Sequence, residues 1–434
     1  MAGCYRFTNV GPTIIITTNL AKLLYSLVVH LYGLLIRVAS VQDNKAKQWV
    51  KGRKNWRKTL SEKCNQIKND DKIWVHCASY GEFEQGRPLI EAIQQKHPNY
   101  KIILTFFSPS GYEAFKGWAG ADLVIYLPLD TKKNARDFMD LLQPKMAIFI
   151  KYEFWLHFLN QLKKNAVPTY LVSAVFKAHH PFFKWYGGIF RSSLNVFLKL
   201  FVQDKASAAL LQSIGIQQVQ VVGDTRFDRV LALKSQAYQN KIIEAFKGNS
   251  KLIIAGSTWP KDEELILKAF NKIKDKGVKL IIAPHEVETR FTINTIKKIN
   301  EYNFKYSLYM QDPATDVDVM IIDTIGVLSK LYQYADAAYV GGGFNGGLHN
   351  VLEPSVHLIP VSFYGQNYEK FNEALDLMSQ NVAQTALTSS ELKTVWKQQL
   401  FDLDYCTMVQ EKLQIYFAEN GNVSEKVMQG MLID

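Results

Sequence analysis

Beyond residue 70 the chain alternates short apolar runs with longer stretches whose apolar positions recur every three or four residues. Short apolar runs bounded by turn formers predict strands buried on both faces. They fall at 72–77, 101–106, 123–127, 146–150, 169–172 and 199–202. Helical periodicity marks 86–96, 133–142 and 155–164 between them. The alternation then starts afresh, with strands at 219–222, 251–255, 279–283, 319–322, 337–340 and 359–362. The second series of helices falls at 262–274, 288–299, 326–334 and 371–379. Strands separated by helices predict parallel sheets covered on both faces. A chain of 434 residues also exceeds what one core usually serves. Two α/β units meeting near residues 222–232 are therefore expected.

The segment before that body follows another pattern. Residues 14–36 are mostly apolar but are interrupted by Thr17, Thr18, Asn19, Lys22, Ser26 and His30. The unbroken part, 23–36, is short for a hydrocarbon core of about 30 Å, and a longer span would bury Lys22 or require it to snorkel. A helix lying in or dipping into a membrane is the first reading, a single span the second and a soluble core helix the third. Directly after it, nine Lys/Arg between Arg37 and Lys63 are opposed only by Asp43 and Glu62. Had the helix spanned, that basic block would leave the body on the cytoplasmic side.

Composition narrows the partners. A hydrophobic fraction of 47% with 21% charged residues is ordinary for a globular chain. The net charge of +11 points to anionic partners, and its concentration beside an apolar segment favours a membrane surface over nucleic acid. Cys4, Cys64, Cys77 and Cys406 are scattered without metal-ligand spacing, which argues against a zinc site or a disulfide framework.

In open α/β sheets ligands sit beyond the carboxyl ends of the strands, so the loops there are the candidates. Ser79-Tyr80-Gly81-Glu82 follows the first strand. Glu82 can act as a general base on a hydroxyl or be a first-turn acid favoured by the helix dipole. Ser108-Pro109-Ser110-Gly111 can present backbone N–H groups to an anion, and capping explains it equally. In Lys151-Tyr152-Glu153-Phe154-Trp155, Lys151 and Glu153 can pair with each other or bind substrate. In Gly223-Asp224-Thr225-Arg226-Phe227-Asp228, Arg226 can clamp a phosphate or carboxylate, or make a plain hinge salt bridge. Pro284-His285-Glu286 offers an imidazole for a nucleotide phosphate or base.

The richest stretch runs from Asp323-Thr324-Ile325-Gly326 to Gly341-Gly342-Gly343-Phe344-Asn345-Gly346-Gly347-Leu348-His349-Asn350-Val351-Leu352-Glu353-Pro354. Glycines after a strand let backbone amides approach phosphate without a Cβ clash. The spacing is neither the dinucleotide fingerprint nor a P-loop. Glu353 could accept hydrogen bonds from ribose hydroxyls, so a nucleotide site is expected here. Asp316-Val317-Asp318 has the letters of a metal motif but reads as a loop before a strand.

Taken in order, Ser79-x-Gly81-Glu82, Ser108-Pro109-Ser110-Gly111, Glu153-Phe154-Trp155, Gly223-Asp224-x-Arg226-Phe227-Asp228, Asp323-Thr324-x-Gly326 and His349-Asn350-x-Leu352-Glu353-Pro354 resemble the 3-deoxy-D-manno-octulosonic acid (Kdo) transferase family of Gram-negative bacteria. The resemblance runs from the N-terminal segment to about residue 380. It implies a GT-B glycosyltransferase: two Rossmann-like domains with a central cleft, plus an N-terminal membrane-associated helix. The corresponding division is 1–62 for the extension, anchor helix and basic segment, 63–225 for the acceptor domain and 226–434 for the CMP-sugar domain with C-terminal helices.

The implied reaction is inverting and metal-independent, with no cofactor, and moves Kdo from CMP-Kdo to the 6-hydroxyl of lipid IVA in lipopolysaccharide core biosynthesis. It would take place at the cytoplasmic face of the inner membrane. The family's general base falls on Glu82, and Arg226 is its basic residue near the donor. CMP contacts fall on Pro284, His285, Ile325, Gly326, Val327, Asn350, Val351, Leu352 and Glu353. Many members carry Glu-Thr-Glu-Leu-Trp where this chain has Lys151-Tyr152-Glu153-Phe154-Trp155. Lys151 cannot do the work of the first of those acids in the same way, so Glu153 is the catalytic residue carried over. The alternatives are another GT-B enzyme, such as a UDP-sugar transferase or epimerase, and a non-catalytic membrane-associated binding protein.

Overall fold

Two parallel sheets of seven strands each organise the computed structural model, which describes residues 12–345 and 347–433. The first holds β1 (Lys72–Cys77), β2 (Lys101–Phe106), β3 (Leu123–Tyr126), β4 (Met146–Ile150), β5 (Thr169–Ala174), β6 (Lys199–Val202) and β7 (Val219–Val221) in the order β3-β2-β1-β4-β5-β6-β7. The second holds β8 (Lys251–Thr258), β9 (Val278–Pro284), β10 (Tyr306–Leu308), β11 (Val319–Ile321), β12 (Ala337–Val340), β13 (Val361–Tyr364) and β14 (Ala383–Ala386) in the order β10-β11-β9-β8-β12-β13-β14. Every position of β1, β4, β5 and β12 is buried, as central strands covered by helices on both faces require.

By its contacts the chain divides into two compact units, one running to Arg229 and resuming at Asn422, the other being Val230–Gly421. Two details differ from the sequence reading. The run at 219–222, expected to open the second series, is instead the last strand of the first sheet, where Val219–Val221 pairs with β6. And the C-terminal helices do not all stay with the second unit. Helix Val423–Gln429 returns to the first, where the Asp228 carboxylate accepts the Val423 and Ser424 amides at 3.0 and 2.6 Å. Val423, Val427 and Met428 then complete the apolar layer formed by Leu89, Ile90 and Ile93.

The N-terminal apolar segment is a single helix, α1 (Pro12–Ala39), followed by α2 (Asn44–Gly52) and α3 (Trp56–Gln66). Its stretch Leu20–Ala39 is long and apolar enough to cross a membrane by length and composition. One stripe of α1, though, is seated on the first unit. Tyr25 donates to the buried Asp130 carboxylate at 2.6 Å, and Ser26 Oγ lies 2.9 Å from His157 Nε2. Val29 and Gly33 are buried one and two turns further on, Gly33 so close to Leu129 that an added Cβ would lie 2.5 Å from its Cδ2. The other faces leave Leu23, Leu24, Leu27, Val28, Leu31, Leu34, Leu35 and Val38 exposed, together with Lys22.

Candidate active site

In the first sheet the strand order reverses between β1 and β4, and the crevice beyond those two carboxyl ends is where such sheets take ligands. The chain places one carboxylate after each. β1 runs into α4 (Tyr80–Lys96) with Ser79 as N-cap, so Glu82 occupies the third helical position. An acid there is favoured by the helix dipole, and the Ser79 hydroxyl hydrogen-bonds its Oε2. Expectation had the helix beginning at residue 86; it begins at Tyr80, which puts the Ser79–Glu82 loop into the first turn.

After β4, Lys151 adopts the left-handed conformation at φ 65°, and the chain turns to present Glu153. Its Oε2 accepts the Trp155 indole N–H at 2.7 Å and lies 3.3 Å from His76 Nε2. His76 Nδ1 is 2.8 Å from Thr105 Oγ1, so Thr105, His76, Glu153 and Trp155 form one network across β2, β1 and the β4 loop. Glu153 is thus held by Trp155 of its own motif and by His76, which sequence reasoning missed; the only signal for it was a polar residue inside the apolar run of β1. Both carboxylates lie near Cys77, whose thiol is pushed well above its usual range by burial first and then by Glu82 and Glu153.

Arg226 opens the helix Arg226–Ser235. Its Nε and Nη2 reach the same Asp224 oxygen at 2.8 and 2.6 Å, and its amide donates to the other at 2.9 Å. Arg226 is thus salt-bridged to Asp224 of its own segment. Asp224 also takes a long contact of 3.5 Å from Gln85 of α4. Tyr152 sits amid these charges: burial raises its phenol first, with Asp204, Asp224 and Glu82 adding to the rise and Arg226 opposing it. Glu82, Glu153 and Arg226 thus belong to one unit and one end of one sheet.

The second sheet reverses between β8 and β12, and again the loops beyond those ends carry the candidates. A register shift between Gly256 and Thr258 leaves Ser257 left-handed at φ 52°. Its carbonyl occupies the space where a Cβ on Gly341 would stand, only 2.4 Å away. Gly342 is itself left-handed at φ 99°, and its amide donates to Asp262 at 3.0 Å. Asp262, third residue of the helix Pro260–Phe270, also accepts the Trp259 amide at 3.0 Å and the Tyr339 hydroxyl at 2.9 Å. Burial raises its carboxyl and these hydrogen bonds pull it back. The glycine loop is pinned to the start of a helix by a buried acid that sequence reasoning did not single out.

Over that loop, three rings stack: Trp259 on His285 at 4.8 Å, and His285 on His349 at 4.5 Å. Burial, then the His285 charge, lowers the His349 imidazole to about 4, so this ring is neutral near pH 7. Pro284 ends β9, and His285 beside it is exposed. Beyond β11, Ile325 is 81% exposed and Gly326 is left-handed at φ 86°, with Val327 half-buried behind them. Helix Leu352–Ser355 is a single turn. Asn350 braces it, accepting the Leu352 amide at 3.1 Å and donating to Glu353 at 3.3 Å; Val351 and Leu352 are core residues behind that brace. These segments share the carboxyl end of neighbouring strands and bring ring faces suited to a base together with a glycine-lined loop. Among the described residues no group of three or more His, Cys, Asp or Glu is placed to hold a metal ion.

Residues 50–229 match the profile of the 3-Deoxy-D-manno-octulosonic-acid transferase (kdotransferase) family. The chain is 30% identical to the 3-deoxy-D-manno-octulosonic acid transferase of Aquifex aeolicus, over 72% of this chain and 80% of that protein. It is 27% identical to the enzyme of the same description from Haemophilus influenzae, over 67% and 69%. A bifunctional glycosyltransferase/methyltransferase of Fusobacterium nucleatum is 29% identical over 71% of this chain, which spans only half that protein's length. Among solved structures, the UDP-GlcNAc 2-epimerase of Neisseria meningitidis superposes with a TM-score of 0.59 at 14% identity, covering 83% of this chain and 99% of that one. A putative UDP-N-acetylglucosamine 2-epimerase from Listeria monocytogenes gives 0.57 at 11% identity, covering 83% and 95%. At such identities the likeness is one of fold, the paired α/β units of GT-B enzymes.

Proposed function

Since the chain belongs to the 3-deoxy-D-manno-octulosonic acid (Kdo) transferase family, we propose that it transfers Kdo from CMP-Kdo to the 6-hydroxyl of lipid IVA with inversion. The observation that carries the proposal is Glu82 at the strand-order reversal of the first sheet, in the first turn of α4. Its carboxylate takes the proton of the acceptor hydroxyl as that oxygen bonds to the anomeric carbon. The bond from that carbon to the CMP phosphate breaks on the opposite face, and the electron pair leaves with CMP.

Glu153, fixed by Trp155 and His76, supplies a second carboxylate in the acceptor unit, which can stabilise the positive charge that builds at the anomeric centre. Arg226 offers a cation to the donor's carboxylate or to the leaving phosphate. In the second unit, Pro284 and His285 with the Ile325-Gly326-Val327 turn and the Asn350–Glu353 segment bind CMP. Asn350 and Glu353 lie within hydrogen-bond distance of each other, so both can serve the same ribose. CMP departs as a phosphate monoester, so a cation and helix N-termini suffice to stabilise it and the step is metal-independent.

The partly seated α1, with its outward apolar faces and the basic segment after it, supports a body held on the cytoplasmic face of the inner membrane. The seating favours a helix lying along the surface, because a span would carry the charged environment of Asp130 toward the hydrocarbon. The test is mass spectrometry of lipid IVA after incubation with CMP-Kdo. Wild-type protein should add the mass of Kdo, while Glu82→Gln should add none yet still bind CMP. Substantial product from that variant would remove Glu82 from the mechanism, and transfer from a UDP-sugar in place of CMP-Kdo would remove the donor assignment.

A further inference from the structure

Between the C-terminal end of α1 and the turn joining α2 to α3 lies a cavity of about 570 Å³. Its lining includes Arg37, Arg53, Lys54, Arg57 and Lys58, and neither Asp nor Glu. Two of these cations are already matched: Arg57 to Asp137 at 2.7 Å, and Lys58 to Glu62 at 3.8 Å. Arg37, Arg53 and Lys54 have no carboxylate within salt-bridge distance among the described residues.

Arg53 is the most telling. Its guanidinium lies over the Trp49 ring at 3.8 Å and donates to the carbonyls of Phe107 at 2.7 Å, Leu127 at 2.9 Å and Trp49 at 3.1 Å. Three carbonyls and the faces of Trp49, Phe107 and Tyr126 hold this half-buried group, and no carboxylate neutralises its charge. Burial accordingly lowers its pKa to about 9, which still leaves it charged at neutral pH. The second observation is independent of the first. Trp49 lines the same cavity and is only 7% exposed, yet its indole N–H has no hydrogen-bond partner. An orphaned buried donor beside a half-buried cation that has no carboxylate partner calls for an acceptor that carries negative charge.

The backbone is shaped to keep this cavity. Gly52 ends α2 against the Tyr126 ring, where a Cβ would stand 2.1 Å from the ring edge. Asn55, left-handed at φ 56°, then reverses the chain into α3. The rim continues into the outward apolar face of α1, where Leu34, Leu35 and Val38 are exposed, and on to Val41. A soluble anion has no use for that apolar rim, whereas a lipid with a phosphate head and acyl chains uses both.

We propose that this cavity binds the phosphate group of an anionic membrane phospholipid, with Arg53, Lys54 and the Trp49 N–H as its donors. The proposal rests on the membrane reading of α1 but not on the transfer chemistry, so binding is followed without turnover. The full chain in maltoside micelles, labelled with ¹⁵N at tryptophan, is titrated with dihexanoyl-phosphatidylglycerol and separately with inorganic phosphate. The Trp49 indole resonance is identified by its loss in Trp49→Phe. The phospholipid should shift that resonance, and Lys54→Glu should weaken its apparent affinity at least about tenfold, the loss of one charge-assisted contact. Glu82→Gln should keep the wild-type shift, so an inactive enzyme and a missing lipid site are told apart. An unmoved Trp49 resonance, or an unchanged affinity in Lys54→Glu, overturns the site. Equal affinity for inorganic phosphate and phospholipid overturns the lipid assignment.

Discussion

The glycine-rich loop after β12 can be dissected, because its glycines do different things. Gly341 stands where the left-handed Ser257 pushes its carbonyl outward, and a Cβ there would lie 2.4 Å from that oxygen and 2.8 Å from the Thr258 Cα. Both obstacles are backbone, held in register by the Gly341 amide donating to Gly256 at 2.9 Å, so neither can swing aside. Overpacking of this kind costs about 1–3 kcal/mol. For a unit the size of Val230–Gly421, each kcal/mol lowers the melting temperature by about 2–4 °C. Gly341→Ala should therefore melt about 2–12 °C below wild type in calorimetry of the ligand-free chain. Gly347 is the contrast, since a Cβ there meets nothing within 4 Å. If it is a glycine for the sake of a phosphate, Gly347→Ala should melt like wild type and bind CMP more weakly by titration calorimetry. Wild-type melting of Gly341→Ala would refute the packing argument. Unchanged CMP affinity in Gly347→Ala would remove that glycine from the phosphate site.

Three further outcomes are expected. Tyr25→Phe removes the 2.6 Å hydrogen bond to buried Asp130, leaving that carboxylate only the His157 and Phe158 amides, and should cost roughly 1.5–3 kcal/mol in urea unfolding of the first unit; an unchanged midpoint would mean α1 is not seated there. His349 takes its proton near 6.5 when unfolded but only at about 4 when folded, so its contribution is full above the first value and lost as pH falls through the second. Comparing wild type with His349→Gln between pH 7 and pH 4 should show the difference in stability shrink by on the order of 3 kcal/mol, and a pH-independent difference would contradict the ring's burial. EDTA should leave Kdo transfer unchanged in the lipid IVA mass assay, and a strict need for an added divalent cation would sink the metal-independent mechanism.

What the chain disclosed in its letters follows from what makes a segment local. Strands covered on both faces are mostly apolar runs, so β1, β2, β4, β6 and β12 were legible to the residue despite an occasional Lys, His or Thr. The edge strands Tyr306–Leu308 and Ala383–Ala386 are short and only partly buried, and no run of apolar letters marks them. Ser79 and Glu82 could be paired by counting along one helical turn. The network of Thr105, His76, Glu153 and Trp155 could not, because its members come from two strands and a loop separated by tens of residues. The same holds for Trp259, His285 and His349, whose stacking depends on β8, β9 and β12 lying side by side.

The N-terminal helix shows the limit most sharply. Its letters are apolar on nearly every face, so periodicity could not say which side the protein takes, and Lys22 made a span and a surface helix hard to separate. Tyr25, Val29 and Gly33, each four residues on from the last, settle the inner side by contact rather than by hydrophobicity: a hydroxyl for Asp130, a buried aliphatic, and a glycine against Leu129. The leucines on the other faces are left outside. Lys22 lies on an exposed face of that helix, where its long stem leaves the ammonium outside the protein. Three small contacts therefore fix which side of α1 the first unit takes, a choice that composition left open.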